Sequence, residues 1–118
     1  MRSILAVAAL IFTFACVGDV DACTLSADDL AAVRAVDAAY VSGWLKNDRD
    51  AIVSLLVEGA VIVPQNSPPI TGLAKISDFW WPASGRTTVK TFENAIAEVG
   101  GCGDLAFSRG AFDFSFDW

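Results

Sequence analysis

Few side chains in this sequence can move a proton or hold an ion, and those few are scattered. The chain has no histidine. That removes Ser-His-Asp and Cys-His nucleophile systems, histidine acid–base work, and the usual zinc and facial-triad iron sites. Cys16, Cys23 and Cys102 are too widely separated to form a metal-binding motif, so no metal and no cofactor is expected. The remaining ionisable candidate is Asp37. Helical spacing places it among Val33, Tyr40, Val41 and Trp44, on an apolar face and one turn before Tyr40. A carboxylate in that setting has two readings. It is a general acid or base working with Tyr40, or a structural group hydrogen-bonded to Trp44, Arg109 or a backbone amide. Arg109 divides the same way, as an anion-reading residue or as that carboxylate's partner.

Aromatic side chains supply the other signal. Trp80 and Trp81, directly before Pro82, form the densest cluster in the chain. They read as a lid over an apolar ligand, or as one core tryptophan and one at a subunit interface. The expected ligand-binding set is therefore Asp37, Tyr40, Trp44, Trp80, Trp81, Phe107 and Arg109, and the catalytic candidates are Asp37 and Tyr40 alone. "GCGDLA", Gly101 to Ala106, has the spacing of a dinucleotide fingerprint. It passes into another strand instead of opening a helix, so it is a hairpin turn.

The elements that must position these residues follow from local pattern. "SADD" from Ser26 is a capping box with Asp29 in place of glutamate, and it starts a helix whose face is Leu30, Val33, Tyr40, Val41 and Trp44. "NDRDAIVSLLVEG" predicts a second helix, capped by Asp48, burying Ile52, Leu55 and Leu56, and ended by Gly59 in the left-handed conformation. Ala60 to Val63 predicts a short buried strand stopped by Pro64, and "QNSPPITG" a loop. Thr71 is positioned to cap a third helix, "GLAKISDFWW", which Pro82 ends. Two strand-like runs, from Thr87 and from Asp104, flank a hairpin turn at "GGCG". Apolar parity on the last strand changes between Phe107 and Phe112, which suggests a bulge near Gly110. Helices followed by a sheet give an α+β class.

The chain of 118 residues opens on Arg2 and an apolar run, Ile4 to Ala15, too short to span a bilayer and suited to a signal-peptide core. Val20-Asp21-Ala22 is a small-residue cleavage pattern, so residues 1–22 are expected to be a signal peptide. The alternatives are an N-terminal anchor, and a lipoprotein cut before Cys16. The expected location is periplasmic or secreted. Cleavage leaves 96 residues, 23–118, one small domain. Loss of Arg2, Asp19 and Asp21 moves the net charge from −6 to −5. An acidic surface repels phosphate backbones and anionic lipid, so neither nucleic acid nor, after cleavage, a membrane is an expected partner. An oxidising compartment permits a disulfide between Cys23 and Cys102, but sequence does not establish their approach.

"YVSGWLKND" from Tyr40, then "AVIVPQNSPPITG", a short helix and "GDLAFSRG", resemble the nuclear transport factor 2-like (NTF2-like) superfamily. Within it the match is to the SnoaL-like and DUF4440 group related to ketosteroid isomerase. The likeness covers about Ser26 to Trp118. It implies a cone, with three N-terminal helices packed on a curved antiparallel sheet around an apolar pocket. It also implies that a further hairpin of about 15–25 residues normally follows "FDFSFDW", so the domain reads as lacking its last strands. The resemblance puts Tyr40 at the family's tyrosine. The base position falls near Pro64, flanked by Val63 and Gln65, none of which takes a proton, so steroid isomerase chemistry does not carry over.

The function expected from all this is binding of a small apolar or amphipathic molecule by an exported domain that forms a homodimer through its sheet. A proton-transfer isomerase or cyclase acting through Asp37 and Tyr40, and a non-catalytic dimerisation module, are the alternatives. Export has a direct check: N-terminal sequencing of the secreted protein should begin at Cys23, and a mature chain starting at Met1 in the cytoplasm would refute it.

Overall fold

A computed structural model describes residues 23–84 and 87–117. The expected signal peptide, the lipoprotein alternative at Cys16 and the terminal Trp118 lie outside the described residues. The described chain is α+β: helix α1 (Ala27–Leu45), helix α2 (Arg49–Val53), strands β1 (Val61–Ile62) and β2 (Ile70–Thr71), helix α3 (Leu73–Trp80), then strands β3 (Thr88–Cys102) and β4 (Leu105–Asp117). β1 pairs with β2, and β3 with β4, both antiparallel, in two separate two-stranded sheets.

Both ends of α1 are set by side-chain chemistry. The Ser26 hydroxyl accepts from the Asp29 amide at 3.1 Å, and the Asp29 carboxylate accepts from the Ser26 amide at 3.2 Å, completing the capping box. The Ser26 hydroxyl also donates to the Asp29 carboxylate at 2.6 Å, and that bond, with the one from the Ser26 amide, holds the Asp29 carboxyl below its ordinary value. At the other end Asn47 takes φ 53, its amide donates to the Trp44 carbonyl, and the Asp48 amide donates to Gly43, the two bonds of a Schellman ending. The Asn47 side chain then does a second job. Its carboxamide accepts from the Val89 amide at 2.7 Å and donates to the Val89 carbonyl at 3.3 Å, pinning the end of α1 to the start of β3 as a neighbouring strand would.

α2 begins at Asp48 as expected, its carboxylate accepting from the Ala51 amide at 3.0 Å. It ends earlier than expected, at Val53, and Gly59 is not in the left-handed region. The Ser54 hydroxyl donates back to the Ala51 carbonyl, a local bond that competes with helix continuation. Leu55 and Leu56 therefore sit half-buried in a turn. α2 lies close against α1 because residue 43 is glycine: a Cβ there would stand 2.8 Å from Ile52 Cγ1.

Several other boundaries differ from expectation. Val61 and Val63 are exposed, so the run at 60–63 is not a buried strand, and the stretch expected to be loop contributes β2. A pair this short survives on its antiparallel ladder, Val61 with Thr71 and Ile62 with Ile70. Thr71 belongs to that ladder, so Gly72 occupies the N-cap of α3 and no side chain caps it. The last hairpin turns at Gly103–Asp104, while Gly100, Gly101 and Cys102 continue β3.

The bulge lies on the opposite strand from the one expected. Register skips Ala97, between Ile96↔Gly110 and Glu98↔Arg109, and skips Lys90 as well. β4 keeps strict alternation throughout, and only glycine fits at 110, where a Cβ would meet the Ala95 carbonyl oxygen at 2.1 Å. Ser108, Gly110, Phe112, Phe114 and Phe116 therefore share one face. Leu105 and Phe107 are on the other, exposed.

The core gathers Trp44, Ile52 and Val89, all buried, with Tyr40, Trp80, Trp81, Phe92 and Phe114 packed around them. Cys23 and Cys102 form a disulfide with their Cα atoms 5.0 Å apart, tying the approach to α1 to the hairpin tip. A bridge across 79 residues removes denatured-chain entropy worth about 4.5 kcal/mol in the loop-closure picture. Replacing both cysteines by serine should lower stability by roughly 2–5 kcal/mol in denaturant unfolding. Unchanged unfolding would mean that the bond contributes nothing.

Candidate ligand pocket

The aromatic residues that hold the core also leave a space beside it. A cavity of about 560 Å³ lies between α1, the end of α3 and the inner face of the β3–β4 hairpin. That is a common volume for a small-molecule site. Its aromatic wall runs from Tyr40, Trp44, Phe79 and Trp80 on the helices to Phe92, Phe112, Phe114 and Phe116 on the strands. Edge-to-face contacts fix these rings: Tyr40 to Phe92 at 6.0 Å between centroids, Trp44 to Trp80 at 5.3 Å, and Phe92 to Phe114 at 5.3 Å. Polar groups on the wall are few: Asp37, Thr87, Asn94, Ser108 and Arg109 accompany the rings.

Asp37 reaches this wall because the α1 face that turns toward the hairpin includes position 37. Its Oδ1 accepts from the Ser108 hydroxyl at 3.0 Å. Its Oδ2 is enclosed and has no hydrogen-bond partner, and the same holds for Thr87 Oγ1. Neither Trp44, Arg109 nor a backbone amide is the partner; the strand hydroxyl is. Arg109 instead donates to Glu98 on the paired strand, and its side chain is 73% exposed. Asp37 also borders a shallower groove of about 490 Å³ that includes Arg34 and Lys46. Among the described residues the ion pairs are Arg109–Glu98 and Lys90–Asp117, so neither cation of the groove pairs with Asp37.

Tyr40 is half-buried, and burial pushes its phenol above the ordinary value, opposed by a hydrogen bond with the Trp44 indole. It remains a neutral donor across the neutral range. Tyr40 and the aspartate one turn before it thus border one cavity.

Of the other expected site residues, Trp44 and Trp80 line the space. Trp81 does not. It stacks on Trp44 with centroids 5.2 Å apart, and the Arg49 guanidinium lies 5.5 Å over it, so it closes the core from behind. Phe107 covers Gly100 on the outer face, where a Cβ on that glycine would touch its ring. Ser108, Phe112, Phe114 and Phe116 went unassigned in the sequence. Uninterrupted alternation back from Phe116 would have found all four.

Among the described residues no group of three or more His, Cys, Asp and Glu could hold a metal, and no helix is long and apolar enough to cross a membrane. No protein-family profile matches this chain, and no curated protein does either.

Tyr40 is the sole tyrosine, so tyrosinate absorbance reports it alone. Its folded pKa is raised above the unfolded value, so its contribution to stability is complete below pH 10.0 and is lost as pH rises through the folded pKa. The titration should lie above 10.0 in the folded protein and return to 10.0 in denaturant. An unshifted midpoint would place the phenol in water.

Proposed function

We propose that this chain is an exported NTF2-like domain of the SnoaL-like and DUF4440 kind, and that it binds a small apolar or amphipathic molecule in the cavity between α1 and the hairpin. One observation carries the binding role: an aromatic-walled space of about 560 Å³ with few polar groups on its wall. Apolar area supplies affinity there, and the sparse polar atoms orient the occupant. The family part rests on the motifs from Tyr40 to Gly110, with Tyr40 at the tyrosine position and an antiparallel hairpin joined to a helix by the Asp37–Ser108 contact. The three-helix cone and a homodimer through the sheet belong to the same proposal. The exposed Leu105 and Phe107 on the outer face support the homodimer.

A proton-transfer enzyme is the second reading. It is favoured by Asp37 and Tyr40 bordering the same cavity, one acceptor and one neutral donor. Turnover that depends on pH and is lost in Asp37→Asn would select it over a binder.

The binding role is tested with phenylbutanol, a neutral apolar probe, by tryptophan fluorescence. Phe112 lines the cavity yet is 72% exposed, so Phe112→Glu adds a charge at the pocket without opening the core. Leu105→Glu makes the same change on the outer face. We expect saturable binding that weakens roughly tenfold in Phe112→Glu and is unchanged in Leu105→Glu. No saturable signal, or equal loss in both variants, would refute the pocket.

A further inference from the structure

We propose that the occupant of this cavity is an organic cation, an amphipathic amine whose ammonium group donates to Asp37 while its apolar body lies on the aromatic wall. This deepens the binding role above and rests on it. The first support is the unsatisfied hydrogen-bonding capacity of the wall. Asp37 Oδ2 is enclosed without a partner, and Asp37 borders the space. A buried carboxylate oxygen without a donor is unfavourable, and an ammonium supplies N–H donors to it. Aspartate χ2 is a soft, roughly two-fold torsion, so a modest turn of the carboxylate brings Oδ2 forward to the cavity surface.

The rings are the second support. Tyr40, Trp80, Phe92 and Phe112 line the space, and a cation over the face of such a ring is attracted by its quadrupole. A neutral hydroxyl gains the hydrogen bond without that attraction, and an anion meets repulsion from Asp37. The third is that no internal competitor is found among the described residues. Arg109, the cation on the wall, has its guanidinium engaged by Glu98, and Arg34 and Lys46 border the neighbouring groove without pairing with Asp37. The net charge of −6 adds a long-range field that draws cations toward the protein.

The test compares three probes of one shape, phenylbutylamine, phenylbutanol and phenylbutyrate, by tryptophan fluorescence and calorimetry at neutral pH and low salt. It uses the wild-type chain with its disulfide intact, and Asp37→Asn. Asparagine retains an acceptor for Ser108 and the same shape but lacks the charge. The amine should bind about tenfold tighter than the alcohol, with the carboxylate weakest. In Asp37→Asn the amine's advantage over the alcohol should vanish, the alcohol losing only the smaller difference between a charged and a neutral acceptor. Equal affinity for amine and alcohol in the wild-type chain overturns the cation proposal and leaves the pocket standing. Failure of all three probes removes both. An amine preference that persists in Asp37→Asn also overturns the proposal, because the charge would then be read elsewhere. The wild-type comparison stands even where the variant does not fold.

Discussion

Everything in this fold converges on the Trp44 indole. It is 5% exposed and contacts the rings of Tyr40 on its own helix, Trp80 on α3, Trp81 just after it and Phe114 on β4, with Ile52 and Val89 completing its surroundings. A chain this short has little interior, and burying one large aromatic against four others concentrates what hydrophobic free energy there is. The remaining contacts hold other elements at the distances this packing needs. Gly43 lets α2 come close enough for Ile52 to reach the cluster, and the Asn47 carboxamide delivers Val89 to it.

The cavity is a consequence of the same arrangement. With Trp44 fixed, α1 runs along the hairpin and presents Tyr40 and Asp37 in successive turns, while β4 answers with alternate residues from Phe116 back to Ser108. The bulge at Ala97 matters here because it changes which β3 side chains face inward without disturbing β4. Phenylalanines occupy one stretch, and the serine that holds Asp37 stands beyond them.

What could be read from the sequence was what short-range chemistry decides. The Ser26–Asp29 box, the Asp48 cap, the α1 face and the stop at Pro82 depend on residues a few positions apart, and each is found as expected. The β1–β2 pair was not legible, since two residues carry no periodicity and their pairing spans a proline-rich loop. The bulge was assigned to the wrong strand because apolar parity on β4 was read as a change of face, whereas Leu105 and Phe107 are simply exposed. That error separated Ser108 from Asp37, whose contact joins positions 71 residues apart. The disulfide had the same obstacle, because spacing along a chain does not measure distance across a fold.

The bond between Cys23 and Cys102 has a topological effect as well as an energetic one. It makes a covalent ring of residues 23–102 that contains all three helices and the first three strands, and it leaves β4 outside as a tail joined through the Gly103–Asp104 turn. A single backbone cut anywhere inside the ring leaves every element covalently attached to the rest. A cut at the turn leaves β4 attached only by its ladder and its non-covalent side-chain contacts. The part of the cavity wall carried by β4, with Phe112, Phe114 and Phe116, can therefore be detached by one proteolytic event at the hairpin tip.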